Sequence, residues 1–266
     1  MTSAVQSMWM EHEGAVVTIT LNRPDALNAF DRELAERFDA ALRTVERDER
    51  VRAIVVTGAG RAFSAGQDLR ELARETRERE PDAVGEQMRE RFNPIVLRLR
   101  AIEKPVLCAI NGVTTGAGLG FALASDLRFA AGTAMFTLSP LSIAFIPGVG
   151  STALLPAIIG LARATELTFT GERITAERAL EIGLVHRVVP ADRLLAETQA
   201  MAANLATLPT TTIGLTKRAF NRAVYPDLEA QLAYEASLQE VAAATEDHRE
   251  GLAAILEKRK PVFTGR

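Results

Sequence analysis

The chain has 266 residues, of which 47% are hydrophobic and 24% charged, with a mean hydropathy of +0.05, so it is long and apolar enough to bury a large core. That composition excludes a disordered, collagen-like or disulfide-scaffold protein. Thirty-one basic residues against 34 acidic ones leave a net charge of −3, without the basic field that gathers nucleic acid. A single cysteine, Cys108, excludes an intramolecular disulfide, and the opening MTSAVQSMWMEHEG lacks a basic stretch followed by an apolar one, so a cytoplasmic location is expected. The longest weakly charged stretch, 129–161, is broken by Gly132, Pro140, Pro147, Gly148, Gly150, Pro156 and Gly160, and no membrane span is expected.

In chain order, two β-rich runs at 9–12 and 15–21 flank Glu13-Gly14 and predict a hairpin. From Asp31, an N-cap residue type, Leu34, Phe38, Ala41, Leu42 and Val45 recur at helical spacing. Residues 53–57 (AIVVT) and 106–110 (VLCAI) predict buried strands that end in glycine turns, and 127–131 predicts a third. Between the first two, residues 71–90 are crowded with Arg and Glu. Such a run reads as a solvated helical face or surface segment, with a lid over a cleft as the alternative. Helices are expected at 151–160, 162–170, 176–182, 191–206, 211–222, 228–246 and 248–258, with no strand after 176. Strands alternating with helices and followed by a helical tail predict an α/β fold, divided into 1–195 and 196–266.

Several signatures are absent. Gly116, Gly118 and Gly120 alternate one residue apart and do not make G-x-G-x-x-G; no phosphate loop, zinc motif, nucleophile elbow or cysteine pair occurs, and no metal site is expected. His12, His186 and His248 read as surface or capping residues. Two segments stand out through their backbones. The small residues of Ser64-Ala65-Gly66 follow a strand and let a ligand approach the main chain. Asn111 to Gly120 follows the next strand and runs into an apparent helix, which places free N–H groups at a helix N-terminus. Two such loops on neighbouring strands could give one N–H each to a single oxyanion.

Together the segments NRPDALNAF (22–30), GAGRAFSAGQDL (58–69), KPVLCAINGVTTGAGLGFALASDLRFA (104–130), FIPGVGSTALLPAIIG (145–160), GLVHRVVP (183–190) and PVFTGR (261–266) closely resemble the crotonase family of enoyl-CoA hydratases and isomerases. The AGQDL loop, Phe92-Asn93-Pro94 and the tail look most like its phenylacetate-pathway isomerase branch. The resemblance implies a spiral of β-β-α turns with a C-terminal helical trimerisation region, assembled as a homotrimer or a dimer of trimers. It implies an acyl-CoA thioester as ligand, with coenzyme A as part of the substrate and no separate cofactor. It further implies that the main-chain N–H groups of Gln67 and Ala117 form an oxyanion hole. Ala26, Leu27, Ala65, Asp68 and Leu69 would then meet coenzyme A, and Lys260 and Phe263 its adenine end.

Three positions depart from the family pattern. The hydratase carboxylates fall on Gly120 and Pro140, and the aspartate common in the isomerase branch falls on Gly148. None of these moves a proton, so thioester binding survives while ordinary hydration lacks its acid and base. A proton carrier would be Asp68, Glu71, Glu75 or a water ordered by Thr115, Ser139 or Ser142. Asp68 reads as a cap of the following helix, and Glu71 and Glu75 as solvent-facing. A non-catalytic acyl-CoA carrier, a decarboxylase and a thioesterase are the alternatives.

Overall fold

A computed structural model describes residues 6–78 and 82–266. Strands β1 (Met8–Glu13) and β2 (Val16–Leu21) form the expected antiparallel hairpin, closed at Gly14, whose φ of +58° suits a residue without Cβ. Next to β2 lie β3 (Ala53–Gly58) and then, beyond β4 (Ala62–Ser64) in the chain, β5 (Val106–Ile110). After β6 (Val113–Thr115), β7 (Leu127–Ala131) joins them; β8 (Met135–Thr137) and β9 (Arg173–Thr175) precede the edge strand β10 (Arg187–Val189). The larger sheet runs β1-β2-β3-β5-β7-β10, all parallel beyond the hairpin, and the smaller runs β4-β6-β8-β9. From β3 to β8 successive strands thus alternate between two sheets, which gives the mixed α/β spiral with a helical tail.

Parallel strands covered on both faces favour near-continuous apolar runs, and β2, β3 and β5 supply them, interrupted only by Thr18, Thr20, Thr57 and the closing Gly58. One face, with Val17, Ile19, Ile54, Val56, Val106 and Cys108, joins the main core around Phe30, Phe38 and Phe121. The other, with Val16, Val55, Leu107 and Phe129, packs under Leu194, Ala202 and Ala206 of the helix Leu194–Thr207, in which residue 195 lies. Helix Arg32–Arg47 begins as expected, with Asp31 accepting from Leu34 N at 2.8 Å. Its Leu34, Phe38, Leu42 and Val45 are buried.

Three expectations are corrected. Strand β10 lies beyond residue 176, where only helices were expected, and the three-residue strands β4, β6, β8 and β9 are too short for alternation to show. The charged run is helical, over Leu69–Glu78 and Asp82–Gln87, and continues through a π turn, Met88–Phe92, into a helix over Asn93–Ala101. Its Leu72, Ala73, Val84 and Met88 are buried, so it is part of the core wall. His248 is wholly buried, stacked on Phe145 with ring centroids 4.0 Å apart, and Nδ1 lies 2.8 Å from Ile143 O. Among the described residues no helix is long and apolar enough to cross a membrane.

Candidate active site

The first loop is built from three segments. Arg23 is held by Asp31 and Asp68, at 3.0 and 3.1 Å, which closes the turn around Pro24–Ala26. Leu27 and Asn28 follow in left-handed conformations, φ +52° and +55°. Asn28 is completely buried and donates to Ala59 O and Ala62 O at 2.9 and 2.8 Å, while its Oδ1 accepts from Arg23 N. That amide therefore locks the 22–30 segment onto β4. Phe30 N–H donates to Gly66 O and Asp68 N–H donates to Phe30 O, at 2.7 and 3.0 Å. In this parallel bridge Gln67 stands opposite Phe30, and its own N–H is turned to the other edge.

That other edge meets the second loop. Gly66 has φ +90°, and a Cβ there would stand 3.0 Å from both Ala117 N and Thr115 O. A Cβ on Gly118 would fall 2.6 Å from Ser64 Cβ. Only glycine at 66 and 118 lets the two main chains come this close. Ala117 sits in the first turn of the helix Gly116–Ala124, where N–H groups have no partner within the helix, and Thr115 adds no side-chain cap.

Both loops open into a cavity of about 700 Å³. Leu27, Ala65, Gln67, Leu69 and Ala117 line it, whereas Ala26 and Asp68 do not. Asp68 is engaged by Arg23 and accepts from Arg70 N and Glu71 N, so it caps the helix that follows. Lys260 and Phe263 lie on the exposed C-terminal tail, away from the lining. Asp247 and Glu250 hold that tail by accepting from Thr264 N, Gly265 N and Val262 N. Sequence reasoning missed Met88 and Phe92, which the π turn delivers to the wall, and Gln239, Ile146 and Arg173. A π turn leaves no periodic signature, and Gln239 and Arg173 come from a distant helix and a three-residue strand.

The carboxylate positions are now concrete. Pro140 and Gly148 line the cavity; Gly120 does not. A Cβ on Gly120 would stand 2.5 Å from Val149 O, so the helix is packed directly against the 144–150 loop. At Gly148 a Cβ would meet only the flexible end of Met88, at 2.8 Å. The loop itself carries left-handed Ala144 and Val149 and is fixed by the helix Leu228–Ala243. Gln239 Oε1 accepts from Ile146 N at 3.0 Å, and Glu235 accepts from Gly150 N and Thr152 N at 2.9 and 3.0 Å. Burial pushes the Glu235 carboxyl above the ordinary glutamate range, against the lowering effect of those hydrogen bonds.

Glu71 and Glu75 were expected to face solvent, and they do not. Their side chains are 12% and 18% exposed, and the buried Arg91 stands between them at 3.5 and 3.3 Å. Glu71 also accepts from Arg32 N, and burial raises its carboxyl above the usual range. Glu75 accepts from Gln87 Nε2, and Gln87 Oε1 in turn accepts from Gln67 Nε2. Neither carboxylate lines the cavity; Glu75 is joined to its wall through the amides of Gln87 and Gln67. Arg173 is the one titratable side chain lining the cavity among the described residues.

Known proteins agree with this architecture along the whole chain. Residues 11–266 match the family described as enoyl-CoA hydratase/isomerase. The chain is 42% identical to the 1,2-epoxyphenylacetyl-CoA isomerase of Escherichia coli (strain K12), covering 96% of this chain and 97% of that one. It is 34% identical to the short-chain-enoyl-CoA hydratase of Clostridium acetobutylicum, over 94% and 95% of the two chains. The crystal structure of an enoyl-CoA hydratase from Mycobacterium avium subsp. paratuberculosis K-10 superposes with a TM-score of 0.85 at 31% identity, covering 98% of this chain and 100% of that chain. With its alternating two-sheet spiral, its paired glycine loops and these matches, the chain belongs to the enoyl-CoA hydratase/isomerase family, the crotonases.

Proposed function

We propose that this enzyme binds the thioester carbonyl of an acyl-CoA between the main-chain N–H groups of Gln67 and Ala117 and stabilises the enolate that forms when charge moves onto that oxygen. The observation that carries the proposal is the convergence of the two loops at Gly66, with the Gln67 N–H left over by the Phe30 bridge and the Ala117 N–H left over by its helix. Fixed donors of this kind supply about 2.7–4 kcal/mol each to the transition state. The coenzyme A arm runs past Leu27, Ala65 and Leu69, with Ala26 and Asp68 supporting that path. Lys260 and Phe263 reach the adenine end from a neighbouring subunit.

The reaction we favour is an isomerisation, which we route through the enolate; the Escherichia coli relative is named an isomerase. Hydration needs two carboxylates at one water, and the side chains at Gly120 and Pro140 supply neither. The proton moves through a water held by Thr115, Ser139 or Ser142, hydroxyl residues at the cavity or beside its mouth. In the assembly, the helices after residue 195 make the contacts of a homotrimer or a dimer of trimers; Phe220 and Val241, 64% and 67% exposed, suit such a surface. A cytoplasmic enzyme without a separate cofactor fits this reading.

Incubation in heavy water with saturated, 2-enoyl and 3-enoyl CoA thioesters, followed by product masses, tests it. Deuterium gain at constant composition is expected, and Gln67→Pro, which removes one N–H, should abolish it. Addition of water would overturn the isomerase assignment. Thioesters that protect the protein from thermal unfolding yet return unchanged would favour the acyl-CoA carrier reading.

A further inference from the structure

The cavity lining is both apolar and polar. Leu69, Met88, Phe92, Phe145 and Val149 give apolar lining, as do Val113 on β6 and Met135 on β8. The floor is the outer face of the smaller sheet, and its polar residues stand in one cross-strand row. Thr115 on β6 pairs with Thr137 on β8, and Thr137 pairs with Arg173 on β9. Neighbouring strands lie about 4.8 Å apart, so the Arg173 backbone stands roughly 10 Å from Thr115, two residues before the Ala117 amide. All three line the cavity. The Arg173 residue is exposed, and its guanidinium makes no hydrogen bond or ion pair among the described residues.

The geometry points to Arg173 as an anion-binding residue of the cavity, pairing with a carboxylate or phosphate oxygen of the thioester ligand. The inference rests on the acyl-CoA reading above and deepens it. A guanidinium presents a planar fork of donors that matches carboxylate and phosphate oxygens two at a time. Here it faces a neutral cavity, so no internal carboxylate competes for it. One ligand chemistry has two sources: a carboxylate on the acyl group, or the phosphates of coenzyme A. Strand order separates them, because β9 lies at the edge of the sheet opposite β4, beside which Ala65 lines the cavity.

The test compares wild type, Arg173→Gln and Arg173→Lys by titration calorimetry with three saturated probes of matched chain length. These are a methyl-ended acyl-CoA, a carboxylate-ended acyl-CoA and a methyl-ended acyl-pantetheine that carries no phosphate. Arg173→Gln is expected to weaken at least one anionic probe about tenfold, with part of the loss restored by lysine and the effect shrinking at high salt. Loss confined to the carboxylate-ended thioester assigns the anion to the acyl group. Loss shared by both CoA thioesters and absent for the pantetheine thioester assigns it to the phosphates. Equal affinities in wild type and variant, or an equal loss for all three probes, would overturn the inference. Wild type that binds none of the three would instead sink the acyl-CoA reading itself.

Discussion

The cavity and the wall behind it handle charge in opposite ways. The cavity presents hydroxyls, amides, apolar side chains and one guanidinium, whereas behind its wall Glu71, Glu75 and Arg91 crowd into a mostly buried cluster edged by the half-exposed Arg32. A buried carboxylate is tolerated when it is paired and hydrogen-bonded, and costs stability when it is not. The wall meets that condition with its own arginine. Any carboxylate placed in the cavity would have to be satisfied by a ligand or by water. In the function proposed above, main-chain amides polarise the ligand, and the charged side chains are left to hold the wall in place.

The largest effect expected follows from unbalancing the wall. Arg91→Met removes the buried cation between two carboxylates, leaving Glu71 without an ion pair among the described residues and Glu75 with only the half-exposed Arg32, and should lower stability by about 3–5 kcal/mol in denaturant titrations. A loss below 1 kcal/mol would mean that the cluster is wet. Next, a glycine packed against the 144–150 loop and one within it should respond differently to the same methyl group. Gly120→Ala drives a Cβ onto a backbone oxygen and should cost about 1–3 kcal/mol, while Gly148→Ala meets only the movable end of Met88 and should cost less than about 1 kcal/mol. Equal costs would show that the 144–150 loop shifts freely.

Acid should expose a third difference. His248 is buried and neutral, and burial holds its pKa below the ordinary 6.5. Its contribution is therefore fully present above pH 6.5 and is lost as the pH falls through the depressed folded value. His248→Phe keeps the aromatic stack on Phe145 and should flatten the fall in urea midpoint between pH 7 and 5; an unchanged slope would remove His248 from the account. The smallest change is expected in the cavity itself, where Ser139→Ala should stay within about 0.5 kcal/mol of wild type.

Long periodic segments were legible from the sequence. The hairpin, the Asp31 cap, the apolar strands β3, β5 and β7 and the tail helices all stand where spacing and composition put them, within a few residues. So were the two glycine loops, because close backbone approach demands residues without side chains. What spacing cannot carry is partnership. Arg91 lies 20 residues beyond Glu71 in a run that reads as a solvated face, and only docking against the helix at 32–47 turns it inward. The same limit hid Arg173, on a strand of three residues, and Glu235, whose partners lie more than eighty residues earlier.

That last separation has a consequence for synthesis. The 144–150 loop takes its final shape only when Glu235 and Gln239 accept from Ile146, Gly150 and Thr152, and those two side chains leave the ribosome long after both sheets have done so. The nascent chain can pair its strands and bring Gly66 to Ala117 while one rim of the cavity is still untethered. Acyl-CoA capture therefore becomes available as one of the last events in the life of the growing chain, and stalled polypeptides ending before the helix Leu228–Ala243 should be folded in their sheets yet blind to the ligand.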